Sequence, residues 1–134
     1  MTMYKIDFTP VAKGRPKFTR TGRAYTPQKT RVAELELAEQ VRDLGLPLSN
    51  QGVHLTIVFH IPIKDKRKWG KPNLARPDLD NYLKLFLDSC NEILWQDDGQ
   101  VYSITASKIY AQKGAIYFQI KGANNENKDD EQTD

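Results

Sequence analysis

Three aspartates and a lysine are the residues best suited to chemistry: Asp78 and Asp80 in the run Arg76-Pro-Asp-Leu-Asp-Asn, Lys84 four residues past Asp80, and Asp98 in Asp97-Asp98-Gly99. Ionised carboxylates are the ligands a hard divalent cation takes, and magnesium commonly binds one or two of them while water and substrate phosphate complete its shell. Asp78 and Asp80 flank the predicted start of a helix, where unpaired backbone N–H groups and the positive end of the helix dipole favour the ionised form. The structural alternative is that Asp is also a preferred N-cap and first-turn residue. Lys84 falls one turn past Asp80 on the same helix face. There it can pair with that carboxylate, worth only ~0.2–0.5 kcal/mol, or face a phosphate. Asp88, a further four residues on, reads as solvated.

Geometry limits how Asp98 could join the other two. A helix running to Leu94 would end ~20 Å from Asp80, and the four residues left could not return at ~3.5 Å each. A partner chain would then have to supply the third carboxylate. A helix ending near Cys90 or Asn91 is ~15 Å long, and the remaining residues can fold back by ~23 Å. A site within one chain requires the shorter helix.

The elements that must position these residues follow from the apolar pattern. Tyr4, Ile6 and Phe8 alternate with polar residues up to Pro10, the period of a half-buried strand. The Gly-, Pro- and Thr-rich stretch from Lys13 to Pro27 reads as a long ordered loop. Thr26 is the expected cap of a helix with Pro27 at its first position and an apolar stripe of Val32, Leu35, Leu37, Ala38, Val41 and Leu44, ending at Gly45. Val53, Leu55, Ile57, Phe59 and Ile61 mark a central strand. A basic, aromatic-bearing loop from Pro62 to Pro77 leads into Asp78, and Leu79, Leu83, Phe86, Cys90 and Ile93 then recur at helical spacing. Residues 101–105 and 115–120 read as two strands of a hairpin joined near Lys113-Gly114. The expected fold is α+β, a mixed sheet of about four or more strands with two main helices on one face. One domain is expected over residues 1–122, followed by a disordered acidic tail at 123–134.

The tail's five acids and single lysine carry −4, so the body carries +7 against +3 for the whole chain. Thirteen of the twenty Lys and Arg fall in two segments, Lys13, Arg15, Lys17, Arg20, Arg23, Lys29 and Arg31, then Lys64, Lys66, Arg67, Lys68, Lys71 and Arg76. Charge clustered in this way points to a polyanionic partner. The DNA contacts expected are Lys13, Arg15, Lys17, Arg20, Arg23, Lys66, Arg67, Lys68 and Arg76, with Trp69 placed to stack on a base and Trp95 in the core. Cys90 is the single cysteine, which excludes an intramolecular disulfide and a cysteine-rich zinc site. His54 and His60 read as strand-face residues rather than ligands. With no Gly-rich phosphate loop, a nucleotide cofactor is not expected. No stretch has the make-up of a signal peptide or a membrane span, so the expectation is a soluble, cytoplasmic protein without membrane contact.

The run from Arg76 to Asp88, with its DLDN box, its lysine and its further Asp, together with Leu94-Trp-Gln-Asp-Asp-Gly-Gln-Val, resembles the signature of the RusA family of Holliday junction resolvases. The stretch from Lys13 to Pro27 is similar to a loop found in many members, although it departs from the best-known bacterial prototype. The resemblance implies a homodimer with a magnesium- or manganese-dependent site in each subunit. Such a dimer nicks opposed strands of a four-way DNA junction and leaves 5′-phosphate and 3′-hydroxyl ends. By position its catalytic and metal-binding carboxylates would be Asp78, Asp80 and Asp98, with Lys84 as the functional lysine. The second Asp of the pair aligns, which favours Asp98 over Asp97, while an interval one residue shorter than the prototype's leaves that choice open. Two other readings stand beside this one: a branched-DNA-binding module without catalysis, and a nuclease acting mainly on flaps or forks.

Overall fold

Strand β4 (Val53–Pro62) is the centre of the structure because its odd positions are all apolar: Val53, Leu55, Ile57 and Phe59 are each at most 1% exposed. The computed structural model describes residues 2–14, 17–25 and 27–122. Around β4 the main sheet runs in the order β1 (Tyr4–Ile6), β6 (Ala115–Gly122), β4, β5 (Val101–Ala111). β6 is antiparallel to both β1 and β4, whereas β5 is parallel to β4, so the sheet is mixed as expected. Two helices, α1 (Gln28–Asp43) and α2 (Leu79–Ser89), join it in a single hydrophobic core. Phe86 of α2 is the link, with its ring 5.3 Å from Phe118 of β6 and 6.5 Å from Trp95. Among the described residues no helix is long and apolar enough to cross a membrane.

Three expectations are corrected. β5 and β6 do not form a hairpin: β4 lies between them and pairs with both. The short connection at Gln112–Gly114 spans two strand spacings, ~10 Å, well within its reach. The strand with the strongest apolar face takes the protected central place, and the turn signal could not tell a hairpin from this wider arch. That arch passes close to Thr9, so a Cβ on Gly114 would lie 2.7 Å from the Thr9 Cα.

The second correction concerns α1, which begins at Gln28 with Pro27 as its N-cap. Thr26 lies outside the described residues. Its buried face is Thr30, Ala33, Leu37 and Val41, while Val32 and Leu35 are exposed. Thr30 belongs inside because its hydroxyl accepts the Gly14 N–H at 3.1 Å. A polar atom with a partner can be buried, and an apolar count cannot anticipate that.

Third, the basic loop before α1 contains a two-stranded ribbon, β2 (Lys17–Phe18) paired with β3 (Ala24–Tyr25). Gly22 supplies the positive φ of 85° that its turn needs, and the Thr19 hydroxyl accepts from Arg23 N–H at 3.1 Å. The expected tail and Arg15 lie outside the described residues.

Candidate active site

The basic loop after β4 is laid along the outer edge of β5. Asp65 caps a short 3-10 turn (Lys66–Lys68), and the Trp69 indole N–H donates to the Ile63 carbonyl at 2.8 Å. Gly70 N–H donates to Tyr110 O (2.8 Å), Tyr110 N–H to Lys71 O (2.9 Å) and Asn73 N–H to Lys108 O (3.1 Å). These bonds cover half of an edge strand that would otherwise stay open to pairing. They also carry the chain to the mouth of α2.

Asp78 is the N-cap residue of α2, but its carboxylate makes no capping hydrogen bond. A purely structural N-cap would bond the free N–H groups of the first turn; this side chain is exposed and makes no such bond. Asp80, in the first turn, and Lys84, one turn on, are exposed on the same helix. The N-terminus of α2 is also tied to the first basic loop, since Lys13 N–H donates to the Asn81 carbonyl at 3.0 Å.

α2 ends at Ser89, the shorter of the two lengths considered, and the chain does fold back. Asp97 and Asp98 then part company. Asp97 caps a 3-10 turn (Asp98–Gln100) by accepting from Gly99 N–H at 2.9 Å, and Gln100 closes a capping box. The Gln100 amide also donates to the carbonyls of Ser49 (3.0 Å) and Gln51 (2.9 Å), which pins the turn to the body. Asp98 instead comes within hydrogen-bonding reach of Asp88 and Asn91.

Asp88 is the residue that the sequence reading missed. It is half-buried rather than solvated, and it faces Asp98 and pairs with the ammonium of Lys13, which also reaches Glu34 of α1 at 3.1 Å. The signal was present, because an Asp four residues after the lysine is part of the resemblance. Lys13, expected on DNA, is engaged by two acids, and its side chain is only 20% exposed.

The pKa of the Asp98 carboxyl is raised from its ordinary value. Partial burial contributes most, followed by the charges of Asp97 and Asp88 and its bond to Asp88, while Asn91 acts in the opposite sense. An acid with a raised folded-state pKa holds more protons folded than unfolded between its two values. Stability therefore falls as pH rises through that window and stays lower above it. Asp98→Asn is expected to melt at a higher temperature than the parent protein near pH 7 with chelator present, and the gain should vanish below the unfolded Asp pKa of ~3.9. Thermal melts from pH 3 to 8 check this; equal midpoints at pH 7 would refute it.

Two acidic groups thus lie along α2, Asp78 with Asp80 at its start and Asp88 with Asp98 towards its end. Asp80 and Asp88 are ~12 Å apart along the axis. Among the described residues no three acidic, histidine or cysteine side chains converge tightly enough to hold a metal ion by themselves. The donor chemistry nevertheless suits magnesium, which needs only one or two carboxylates beside water and phosphate. Other candidates are less suited: burial raises the Cys90 thiol far above its ordinary pKa, and His60 stacks 4.6 Å from the Tyr117 ring with its pKa lowered by burial and by Lys5.

Part of the basic charge lies beside the start of α2. Lys17, Lys29, Pro77 and Tyr82 line one cavity of about 520 Å³, and Lys64, Lys66 and Trp69 line another of about 530 Å³. Arg20 and Arg23 stand exposed at the ribbon's turn, near Phe18 (69% exposed), an aromatic that the sequence reading did not single out. Arg67 is forked onto Asp65 (3.0 and 3.1 Å), and the Lys68 ammonium lies 5.8 Å from the Tyr110 ring centre.

The fold and the site together define a small α+β protein with an acidic mouth set among basic loops. Residues 7–121 match the profile of the RusA endodeoxyribonuclease family, and the chain belongs to that family. It is 32% identical over 72 residues to the crossover junction endodeoxyribonuclease rusA of Lactococcus phage r1t, an alignment covering 53% of this chain and 55% of that protein. It is also 27% identical over 135 residues to the uncharacterized protein YqaN of Bacillus subtilis (strain 168), covering 87% of this chain and 95% of that one. The chain therefore spans about half the length of the phage relative and nearly all of the Bacillus one.

Proposed function

We propose that this chain is a divalent-metal-dependent endonuclease that resolves four-way DNA junctions by paired symmetric nicks, acting as a homodimer in recombination and repair. The observation that carries the reading is Asp78, which sits at a helix N-cap without capping it and follows a basic loop fixed along β5. Asp78, Asp80 and Asp98 would between them hold one or two magnesium or manganese ions, and Asp98 is favoured over Asp97 because Asp97 is committed to its cap. When bound, the ion would supply Lewis-acid stabilisation of the phosphate oxygens and an activated water. Lys84, exposed on the face of Asp80, would meet a phosphate oxygen and so fix the scissile group over the acids. Lys17, Arg20, Arg23, Lys66, Arg67, Lys68 and Arg76 would hold the backbone, which positions DNA without reading its sequence. An isologous dimer would place two equal sites on opposed strands of a nearly two-fold junction.

The test is a labelled synthetic four-way junction beside a matched linear duplex and matched flap and fork substrates, with Mg²⁺, with Mn²⁺ and with chelator. Paired nicks on the junction, only with metal, support the reading, while faster cutting of flaps or forks moves the substrate to those branches. The dispersal of the acids into two groups favours a non-catalytic binding module, and junction binding without cleavage in any metal would establish that instead. Replacing Arg67 and Lys68 together by Ala should weaken junction binding and flatten the slope of log K against log salt by ~1–2, at ~0.9 for each phosphate no longer neutralised. An unchanged slope takes both residues off the DNA.

A further inference from the structure

The backbone ladder between the basic loop and β5 stops at Asn73, five residues short of Asp78. Asn73 is buried, and its side-chain oxygen accepts from Ala75 N–H at 2.9 Å, which turns the chain outward. Leu74 to Asp78 are then exposed, and among the described residues no backbone-to-backbone bond holds Ala75, Arg76 or Pro77. Into this gap reaches Lys108 of β5. Its ammonium donates to the Ala75 carbonyl at 2.5 Å and to the Pro77 carbonyl at 2.7 Å. Those two carbonyls lie on either side of Arg76, and the Pro77 carbonyl belongs to the peptide that leads into Asp78.

We infer that Lys108 is a positioning residue of the active site, fixing the backbone around Arg76 and the peptide that carries Asp78, so that a phosphate-binding guanidinium and a metal-binding carboxylate keep one spacing. The inference rests on the nuclease reading above. An ammonium has three donors and no acceptor, so carbonyl oxygens suit it as ligands, and two of its three positions are filled here. Lys108 itself is anchored, because its own carbonyl accepts from Asn73 N–H at 3.1 Å. A single β5 residue thus holds the loop at both ends of its exposed span. Residues 74–78 lack the buried apolar contacts that would hold them otherwise, and small shifts in carboxylate placement weaken metal sites strongly.

The test compares Lys108→Met, which keeps the stem and removes the donors, with Lys108→Arg, which restores donors in a fork. Four quantities are read: the melting midpoint, junction affinity in chelator, Mn²⁺ binding to the protein alone by electron paramagnetic resonance, and the single-turnover cleavage rate at saturating protein. For Lys108→Met the Mn²⁺ dissociation constant should rise and the rate should fall, each by roughly 10–100-fold, as when groups that orient metal ligands are removed. The melting midpoint should hold, junction affinity should fall by a smaller factor than the rate because Arg76 is one of several phosphate contacts, and Lys108→Arg should recover part of both losses. Parental Mn²⁺ binding and rate in Lys108→Met overturn the inference, as does a rate loss accounted for by reduced stability, or one without weaker Mn²⁺ binding. A parent protein that neither binds Mn²⁺ nor cleaves any branch fails at the nuclease reading itself.

Discussion

Asp80→Asn is expected to bind a four-way junction at least as tightly as the parent protein and to cut it slower by a factor on the order of 10³. That factor is the loss of several kcal/mol of charge stabilisation at about 1.4 kcal/mol per tenfold. Asparagine keeps the shape and one oxygen but removes the charge that a hard cation requires. Binding should not suffer, because the substitution takes a negative charge away from the path of a polyanion. Stability should barely move, since Asp80 is exposed in the first turn and its helix-dipole contribution is worth only ~0.3–1 kcal/mol. The expected signature is therefore a separation: single-turnover rate lowered about a thousandfold, junction affinity kept, melting midpoint nearly kept. Cleavage that persists at the parental rate would remove the metal-site reading. A fall in binding together with the rate would show that Asp80 shapes the helix mouth rather than the chemistry.

How much of this could be read from the sequence depends on the range of the interaction. β4 was legible because alternation is local and its odd positions needed no partner to be recognised as core. The length of α2 was legible as a condition, since only the shorter helix lets Asp98 return, and α2 does end at Ser89. The α1 face was misread at Val32 and Leu35 because burial of Thr30 depends on Gly14, sixteen residues away. Strand order failed for a related reason: Lys113-Gly114 encodes a reversal, but not which strand lies inside it. Asp88 read as solvated because its partners, Lys13 and Asp98, come from other parts of the chain. Lys108 carried no signal at all, because the carbonyls it holds are backbone atoms more than thirty positions away. The sequence could place Asp78 at an N-cap, but only side-chain orientation separates a capping Asp from one left available.

The return of the chain after α2 depends most on Trp95, and Trp95→Ala is expected to be the most destabilising single change. The side chain is fully buried, edge-on to Phe86, and its indole N–H donates to the Asn91 side chain at 3.0 Å. Its carbonyl accepts from Glu92 N–H at 2.6 Å, closing a tight loop in which Glu92 takes a φ of 67°, a conformation costing a non-glycine residue about 1 kcal/mol or more. Next to it, Ser49 N–H donates to the Leu94 carbonyl at 2.9 Å, so the same turn ties the chain end of α2 to the segment before β4. Removing a buried Trp side chain costs ~3–5 kcal/mol, a large share of the ~5–15 kcal/mol that holds a domain together. The melting midpoint should fall by roughly 10–25 °C. Trp95→Phe keeps most of the apolar volume but leaves the Asn91 oxygen without its donor, and should cost about 1–2 kcal/mol. Below their midpoints the two variants should differ in kind from Asp80→Asn: they lower the fraction folded, whereas Asp80→Asn leaves a folded protein that cuts far more slowly. A Trp95→Ala protein melting within a few degrees of the parent would mean that the turn is held by its backbone bonds and Gln100 alone, and the placement of Asp98 would then owe nothing to the core.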